Sequence, residues 1–277
     1  MIAFLANPDS GSGEAGEVVR LLRERRIEVS RFDLDRADEA VAAAPERIVV
    51  AGGDGSIGAG ADAAARAQVP LGVVAVGTAN DFARALELPD DPAAALELAL
   101  TGSRTTRLDL GRVGKRPFVN AASAGLSPVA ADSAHSLKRA LGPLAYTVGA
   151  LRAGLFADPV AARVRVDGDQ VFAGDAWQVI VAVSGAFGGG AEVDADPADG
   201  YLDLIAIEAR SRLRLALHGY GLRSGRVEEQ DGVITARGTR IEVATDGAGF
   251  NIDGELISDT CLRFTLEPRA FEVVIGE

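Results

Sequence analysis

Lysine, histidine and cysteine are scarce in this chain of 277 residues: Lys115 and Lys138 are the only lysines, there are two histidines, and Cys261 stands alone. One cysteine excludes an intrachain disulfide, and the side chains that build zinc sites or Cys–His catalytic pairs are nearly absent. No apolar run reaches the roughly 20 residues that a membrane-spanning helix requires. The start of the chain, Met1 to Asn7, lacks the basic stretch and long apolar segment of a signal peptide. A cytoplasmic location is expected, with any membrane contact peripheral at the inner face. The formal net charge of −12 repels phosphate backbones and argues against nucleic acid as a partner. Carboxylates are what remains for chemistry, and any phosphate bound before Lys115 must be met by arginine, backbone N–H groups or a metal ion.

What is present suffices for a folded protein, since 48% of the residues are hydrophobic. Up to about residue 100, short apolar runs alternate with alanine-rich amphipathic stretches, the pattern of a parallel sheet wound with helices. Strands are expected at Ile2–Ala6, Glu28–Leu34, Arg47–Ala51 and Leu71–Val76, and helices at Glu17–Arg26 and near Asp38–Ala44. After Thr101-Gly102-Ser103 the segments become short and often alternating: Arg107–Val113, Pro117–Ala122, Arg163–Val166, Trp177–Val183, Tyr201–Ile207, Thr239–Ala244 and Cys261–Glu267. Asp167-Gly168 and Asp253-Gly254 are hairpin signals. One helical insertion is expected over Ser136–Phe156. The reading is an α/β plus mostly β chain: a doubly wound parallel-sheet domain over 1–104 and a β-sandwich-like domain over 105–277, whose last strand may return to the first. A ligand is expected in a cleft between them.

In a parallel sheet the strand C-termini share one edge, so the loops after Ala6, Ala51 and Val76 should converge. They read Asn7-Pro8-Asp9-Ser10-Gly11-Ser12-Gly13, Gly52-Gly53-Asp54-Gly55-Ser56 and Gly77-Thr78-Ala79-Asn80-Asp81. Glycine lets backbone N–H groups approach an anion, and a following helix presents its positive end to phosphate. One such loop is an ordinary turn with a helix cap; three on one edge fit a nucleoside triphosphate. Gly11-Ser12-Gly13-Glu14-Ala15-Gly16 also matches a dinucleotide fingerprint, but four residues separate it from the strand end, whereas that fingerprint turns almost directly out of its strand. No glycine loop ends in Gly-Lys-Ser/Thr, so a Walker A loop is absent.

These residues resemble the diacylglycerol kinase catalytic-domain family, which includes bacterial soluble lipid kinases and the sphingosine and ceramide kinases. The similarity runs nearly end to end: Asn7-Pro8-x-Ser10-Gly11, Gly52-Gly53-Asp54-Gly55-Ser56, Gly77-Thr78-Ala79-Asn80-Asp81-Phe82-Ala83-Arg84, Asn120-Ala121-Ala122-Ser123-Ala124-Gly125, Leu141-Gly142-Pro143-Leu144-Ala145-Tyr146, Gly188-Gly189-Gly190, Asp199-Gly200-Tyr201-Leu202-Asp203 and Asp253-Gly254-Glu255. Ser56 stands where the family usually has threonine, and Gly58-Ala59 where it often has Asn-Glu. The resemblance implies ATP between the domains, Asp253 as the base for a lipid hydroxyl and Glu255 in support. It implies Mg²⁺ reached by Asp54, and a second, structural Mg²⁺ near Asp196, Asp199 and the Tyr201 carbonyl. Asp253-Gly254 is equally an ordinary hairpin turn, the Asp194, Asp196, Asp199, Asp203 cluster a solvated acidic turn, and Arg84 a phosphate contact or a surface arginine. The expected partners are a lipid substrate at a membrane surface, approached through Arg210, Arg212, Arg214, Arg223 and Arg226 among leucines, and a possible homodimer. Two rival readings remain: an enzyme like the NAD kinases, which share GGDG, and a silent nucleotide-binding regulator.

Overall fold

The computed structural model describes residues 1–7, 14–125 and 158–276. Ser10, Gly11 and the helical insertion expected over Ser136–Phe156 lie outside them. The chain divides into two compact units, Met1–Asn120 with Pro197–Gly200 and Glu267–Glu277, and Ala121–Asp196 with Tyr201–Leu266.

The first unit contains β1 (Ile2–Ala6), α1 (Glu14–Glu24), β2 (Ser30–Asp33), α2 (Ala37–Ala42), β3 (Arg47–Gly52), α3 (Asp54–Ala67), β4 (Leu71–Ala75), α4 (Asp81–Ala85), α5 (Pro92–Thr101), β5 (Thr105–Val113) and β6 (Arg116–Phe118). Its sheet runs β4–β3–β1–β2, all parallel. Side chains alternate along a strand, so both faces of a parallel sheet need cover. Leu5, Ile48, Val50 and Val73 pack with Ile57 and Ala61 of α3 on one face. Phe4, Val49, Ala51 and Val74 pack with Val18 and Leu22 of α1 and Leu96 of α5 on the other. This is the doubly wound arrangement. The register pairs Ala6 with Ala51 and Gly52 with Ala75, which brings the C-termini of β1, β3 and β4 level on one edge.

The second unit is antiparallel and built from β7 (Ala121–Gly125), β8 (Val160–Val166), β9 (Asp169–Ala182), β10 (Ala186–Phe187), β11 (Ala191–Glu192), β12 (Leu202–Glu208), α6 (Arg212–Arg223), β13 (Val233–Gly238), β14 (Arg240–Thr245), β15 (Phe250–Ile252), β16 (Glu255–Ile257) and the first part of β17 (Cys261–Val274). Along β8, Val160, Ala162, Val164 and Val166 are buried and the residues between them exposed, as alternation requires. Both hairpin signals form turns with positive φ at their two central residues, Asp167 (49°) with Gly168 (100°) and Asp253 (46°) with Gly254 (89°).

Several boundaries differ from the sequence reading. The first helix spans Glu14–Glu24 instead of Glu17–Arg26: Arg26 turns left-handed at φ 53° and the Ile27 N–H closes the end on the Leu22 carbonyl at 3.0 Å. The single strand expected over Pro117–Ala122 is two, β6 and β7, broken at Val119-Asn120, where the chain exchanges its pairing with β5 for pairing with β9 and β15 and the Asn120 side chain donates to Asp54. The last strand runs on past Glu267 to Val274, where Val273 pairs in parallel with Leu71 of β4.

Candidate nucleotide and acceptor sites

Two of the glycine loops lock together by backbone. The Val76 N–H donates to the Gly52 carbonyl at 3.0 Å, and a Cβ on Gly77 would lie 2.5 Å from the Gly53 Cα. A Cβ on Gly52 would lie 2.5 Å from the Ser56 Cβ. Only glycine fits this approach. The Gly77 N–H donates to Asn80 Oδ1 at 2.8 Å, and Asn80 itself sits left-handed at φ 51°, a conformation that asparagine tolerates.

Asp54, at the first turn of α3, is 8% exposed. Its Oδ1 accepts from the Phe82 N–H at 3.0 Å and from Asn120 Nδ2 at 2.9 Å. One carboxylate thus ties the β3–α3 loop, the first turn of α4 and the β6–β7 junction. Oδ2 takes no hydrogen bond from the described residues. Asp81 is buried and paired with Arg84, which also donates to the Ala79 carbonyl at 3.2 Å; Arg84 is therefore spoken for within its own loop. Thr78 and Asn7 are exposed at the same edge, and Gly55 is half-buried beside Asp54.

In the second unit the Asp253 turn joins β15 and β16. The Ala121 N–H donates to Asp253 Oδ1 and the Asp253 N–H donates to the Ala121 carbonyl, both at 3.1 Å. Asn251 Oδ1 accepts from the Gly254 N–H at 2.9 Å, and Glu255 is exposed at the start of β16. Turn and functional candidate coincide here, since the aspartate that makes the turn is held by a neighbouring strand.

The acidic stretch separates by environment. Asp199 is half-buried in the Pro197–Gly200 segment of the first unit, whereas Asp196 and Tyr201 belong to the second and are exposed. Among the described residues no three His, Cys, Asp or Glu side chains gather closely enough to hold a metal ion by themselves. Asp109 of β5, which sequence reasoning missed, is 1% exposed; it accepts from the Gly200 N–H at 2.7 Å and the Arg269 N–H at 2.6 Å and so anchors that segment. The available signal was an acid flanked by Leu108 and Leu110 in an apolar strand. Burial, reinforced by Asp194, Glu228 and Asp196, pushes the Asp203 carboxyl up to about 7. Arg237 Nε, 2.8 Å from Asp203 Oδ1, pulls the other way from a half-exposed position and does not offset the burial. Asp203 Oδ2 is buried without a hydrogen bond.

Helix α6 carries no acidic residue, and its Leu217 and Tyr220 are 61% and 74% exposed. His218 on its inner side is 3% exposed, with Nδ1 2.7 Å from Gln230 Oε1. Arg210 is engaged by Glu208 and Asp231, while Arg223 and Arg226 are exposed. The side chains of Arg212 and Arg214 lie outside the described residues. No helix among the described residues is long and apolar enough to cross a membrane.

The chain is similar to known proteins. The family model "Diacylglycerol kinase catalytic domain" matches residues 1–113, and "YegS C-terminal NAD kinase beta sandwich-like domain" matches residues 120–275. A probable lipid kinase, YegS-like, from Pseudomonas fluorescens is 34% identical over 271 residues, covering 95% of this chain and 84% of that protein. A diacylglycerol kinase from Staphylococcus epidermidis is 31% identical over 249 residues, covering 87% and 77%. Among solved structures, a diacylglycerol kinase from Bacillus anthracis str. Sterne has the same fold, with TM-score 0.77 at 20% identity over 99% of this chain and 96% of that one. An NAD kinase from Archaeoglobus fulgidus is more distant, with TM-score 0.50 at 16% identity over 100% and 94%.

Proposed function

Because the chain belongs to the diacylglycerol kinase catalytic-domain family, we propose that it is an ATP-dependent lipid kinase that phosphorylates a lipid hydroxyl, diacylglycerol first among the candidates. The observation that carries this reading is the level edge of β1, β3 and β4, where Asp54 stands among glycine loops with one carboxylate oxygen fixed and the other without a hydrogen bond from the described residues. That donor set fits Mg²⁺, which keeps most of its water and takes one or two carboxylates together with substrate phosphates. When bound, Mg²⁺ neutralises charge on the β and γ phosphates.

The residues of this chain divide the remaining work. Backbone N–H groups of Gly53, Gly55 and Ser56 and the first turn of α3 would receive the triphosphate, with Asn7 and Thr78 at the same edge, while the Gly77 N–H is held by Asn80. No lysine precedes Lys115 to assist them. The acceptor oxygen attacks the γ phosphorus, the bond from phosphorus to the β–γ bridging oxygen breaks, and ADP leaves. The hydroxyl proton passes to the Asp253 carboxylate, with Glu255 in support. A second Mg²⁺ at Asp196, Asp199 and the Tyr201 carbonyl would brace the segment that Asp109 anchors, outside the chemistry.

The lipid must be met at a membrane. We assign that contact to α6, where Leu217 and Tyr220 lie three residues apart on the outer side, and Arg223 and Arg226 complement anionic headgroups on an otherwise acidic chain. Incubation with labelled ATP, Mg²⁺ and either anionic vesicles containing diacylglycerol, the same lipid in detergent micelles, or NAD tests both statements. Label in the lipid is expected, with Leu217→Ser/Tyr220→Ser losing several-fold on vesicles and little in micelles. Label in NAD alone would establish the NAD kinase-like reading, and equal losses in vesicles and micelles would remove the membrane assignment.

A further inference from the structure

Asn120 is 2% exposed and lies in the two-residue break between β6 and β7. The break falls where the strand partner changes, from β5 for β6 to β9 and β15 for β7. Arg116 to Phe118 and Ala121 to Gly125 both have strand geometry, and the preceding Val119 is buried in the core of the first unit. What leaves the strand is one amide side chain, which turns to Asp54 and donates at 2.9 Å. A neutral donor to a buried carboxylate is worth roughly twice an ordinary hydrogen bond, because the alternative is an under-solvated charge.

Both hydrogen bonds that Asp54 accepts fall on the same oxygen. Two donors converging on Oδ1 from different segments, one backbone and one side chain, fix the rotation of the carboxylate about its Cβ–Cγ bond. With the Phe82 N–H alone the group could swing and exchange its two oxygens. We propose that Asn120 is a positioning residue for the nucleotide's metal ion: it fixes Oδ1 of Asp54 and thereby presents Oδ2 to Mg²⁺. The inference rests on the lipid-kinase reading of the same loops and adds to it a residue that touches neither nucleotide nor metal.

The consequence is a metal-specific binding defect. A carboxylate offers nothing favourable to ATP without a metal, so a residue acting through Asp54 should matter only when Mg²⁺ is present. A residue that merely held the loops together would weaken both forms, since the same backbone N–H groups receive the phosphates in each. Calorimetric titration of the full chain with ATP in excess Mg²⁺, and again in excess chelator, separates these cases. Asn120→Leu, of similar volume without a donor, should weaken binding in Mg²⁺ by about tenfold or more while metal-free ATP changes by less than about twofold. Asn120→Ser, smaller and with a hydroxyl donor, is the variant to use if leucine prevents folding, and should fall between leucine and the unsubstituted chain. Equal losses in both titrations, or no loss in Mg²⁺, would overturn the proposal while leaving the kinase reading intact. Failure of the unsubstituted chain to bind ATP in Mg²⁺ would remove both.

Discussion

Two aspartates almost withdrawn from water have very different partners. Asp109 accepts two backbone N–H groups at 2.6 and 2.7 Å, whereas Asp203 has one oxygen on Arg237 and the other buried without a donor, near Asp194, Asp196 and Glu228. A carboxyl so placed favours its proton, and its value rises to about 7. An unfolded aspartate titrates near 3.9. Between those limits the folded state holds a proton that the unfolded chain has lost, so this residue makes stability fall as pH rises from about 4 to about 7 and then level off. Asp203→Asn should flatten that slope and melt above the unsubstituted chain at pH 8. Melting temperatures measured from pH 4 to pH 8 check this; an unchanged slope would show that the carboxyl is ionised throughout.

At the scale of elements, α3 packs two of its glycines differently. A Cβ at Gly58 would meet the Pro117 carbonyl at 3.4 Å, an ordinary contact, whereas at Gly60 it would lie 2.9 Å from Val50 Cβ. Gly58→Ala should therefore stabilise by about 0.5–1 kcal/mol through helix propensity, and Gly60→Ala should destabilise by about 1–3 kcal/mol. Urea unfolding of both variants is the check, and equal midpoints would contradict this packing. The departure Gly58-Ala59 thus lies where the helix runs close to β6. Much of this unit was legible: the apolar runs Ile2–Ala6, Arg47–Ala51 and Leu71–Val76 are buried on both faces, so their identity as parallel strands did not depend on partners. The break at Asn120 was not legible, because it falls where the chain changes from one strand partner to others, and the Asn120 side chain there is tied to a carboxylate 66 residues earlier in the chain. Nor was the full length of β17, which passes through Pro268 and a left-handed Arg269 before pairing in parallel at Val273. Asp253-Gly254 was legible as a turn from its dipeptide alone, but its tie to Ala121 was not.

Across the whole molecule the candidate groups are divided by unit. The glycine loops, Asp54 and Asp81 belong to the first, and Asp253 and Glu255 to the second. Binding of nucleotide and activation of the acceptor should therefore respond to different substitutions. Asp253→Asn is the sharpest case, because asparagine suits the positive φ of this turn and its Oδ1 can still accept from the Ala121 N–H, so the fold is kept while the proton acceptor is lost. The decisive measurement takes the purified, folded Asp253→Asn protein and records its affinity for ATP in Mg²⁺ alongside its rate of lipid phosphorylation. The account predicts affinity within about twofold of the unsubstituted chain and turnover reduced by roughly 10²- to 10⁴-fold. Near-normal turnover would contradict it and leave Asp253 as a turn residue only.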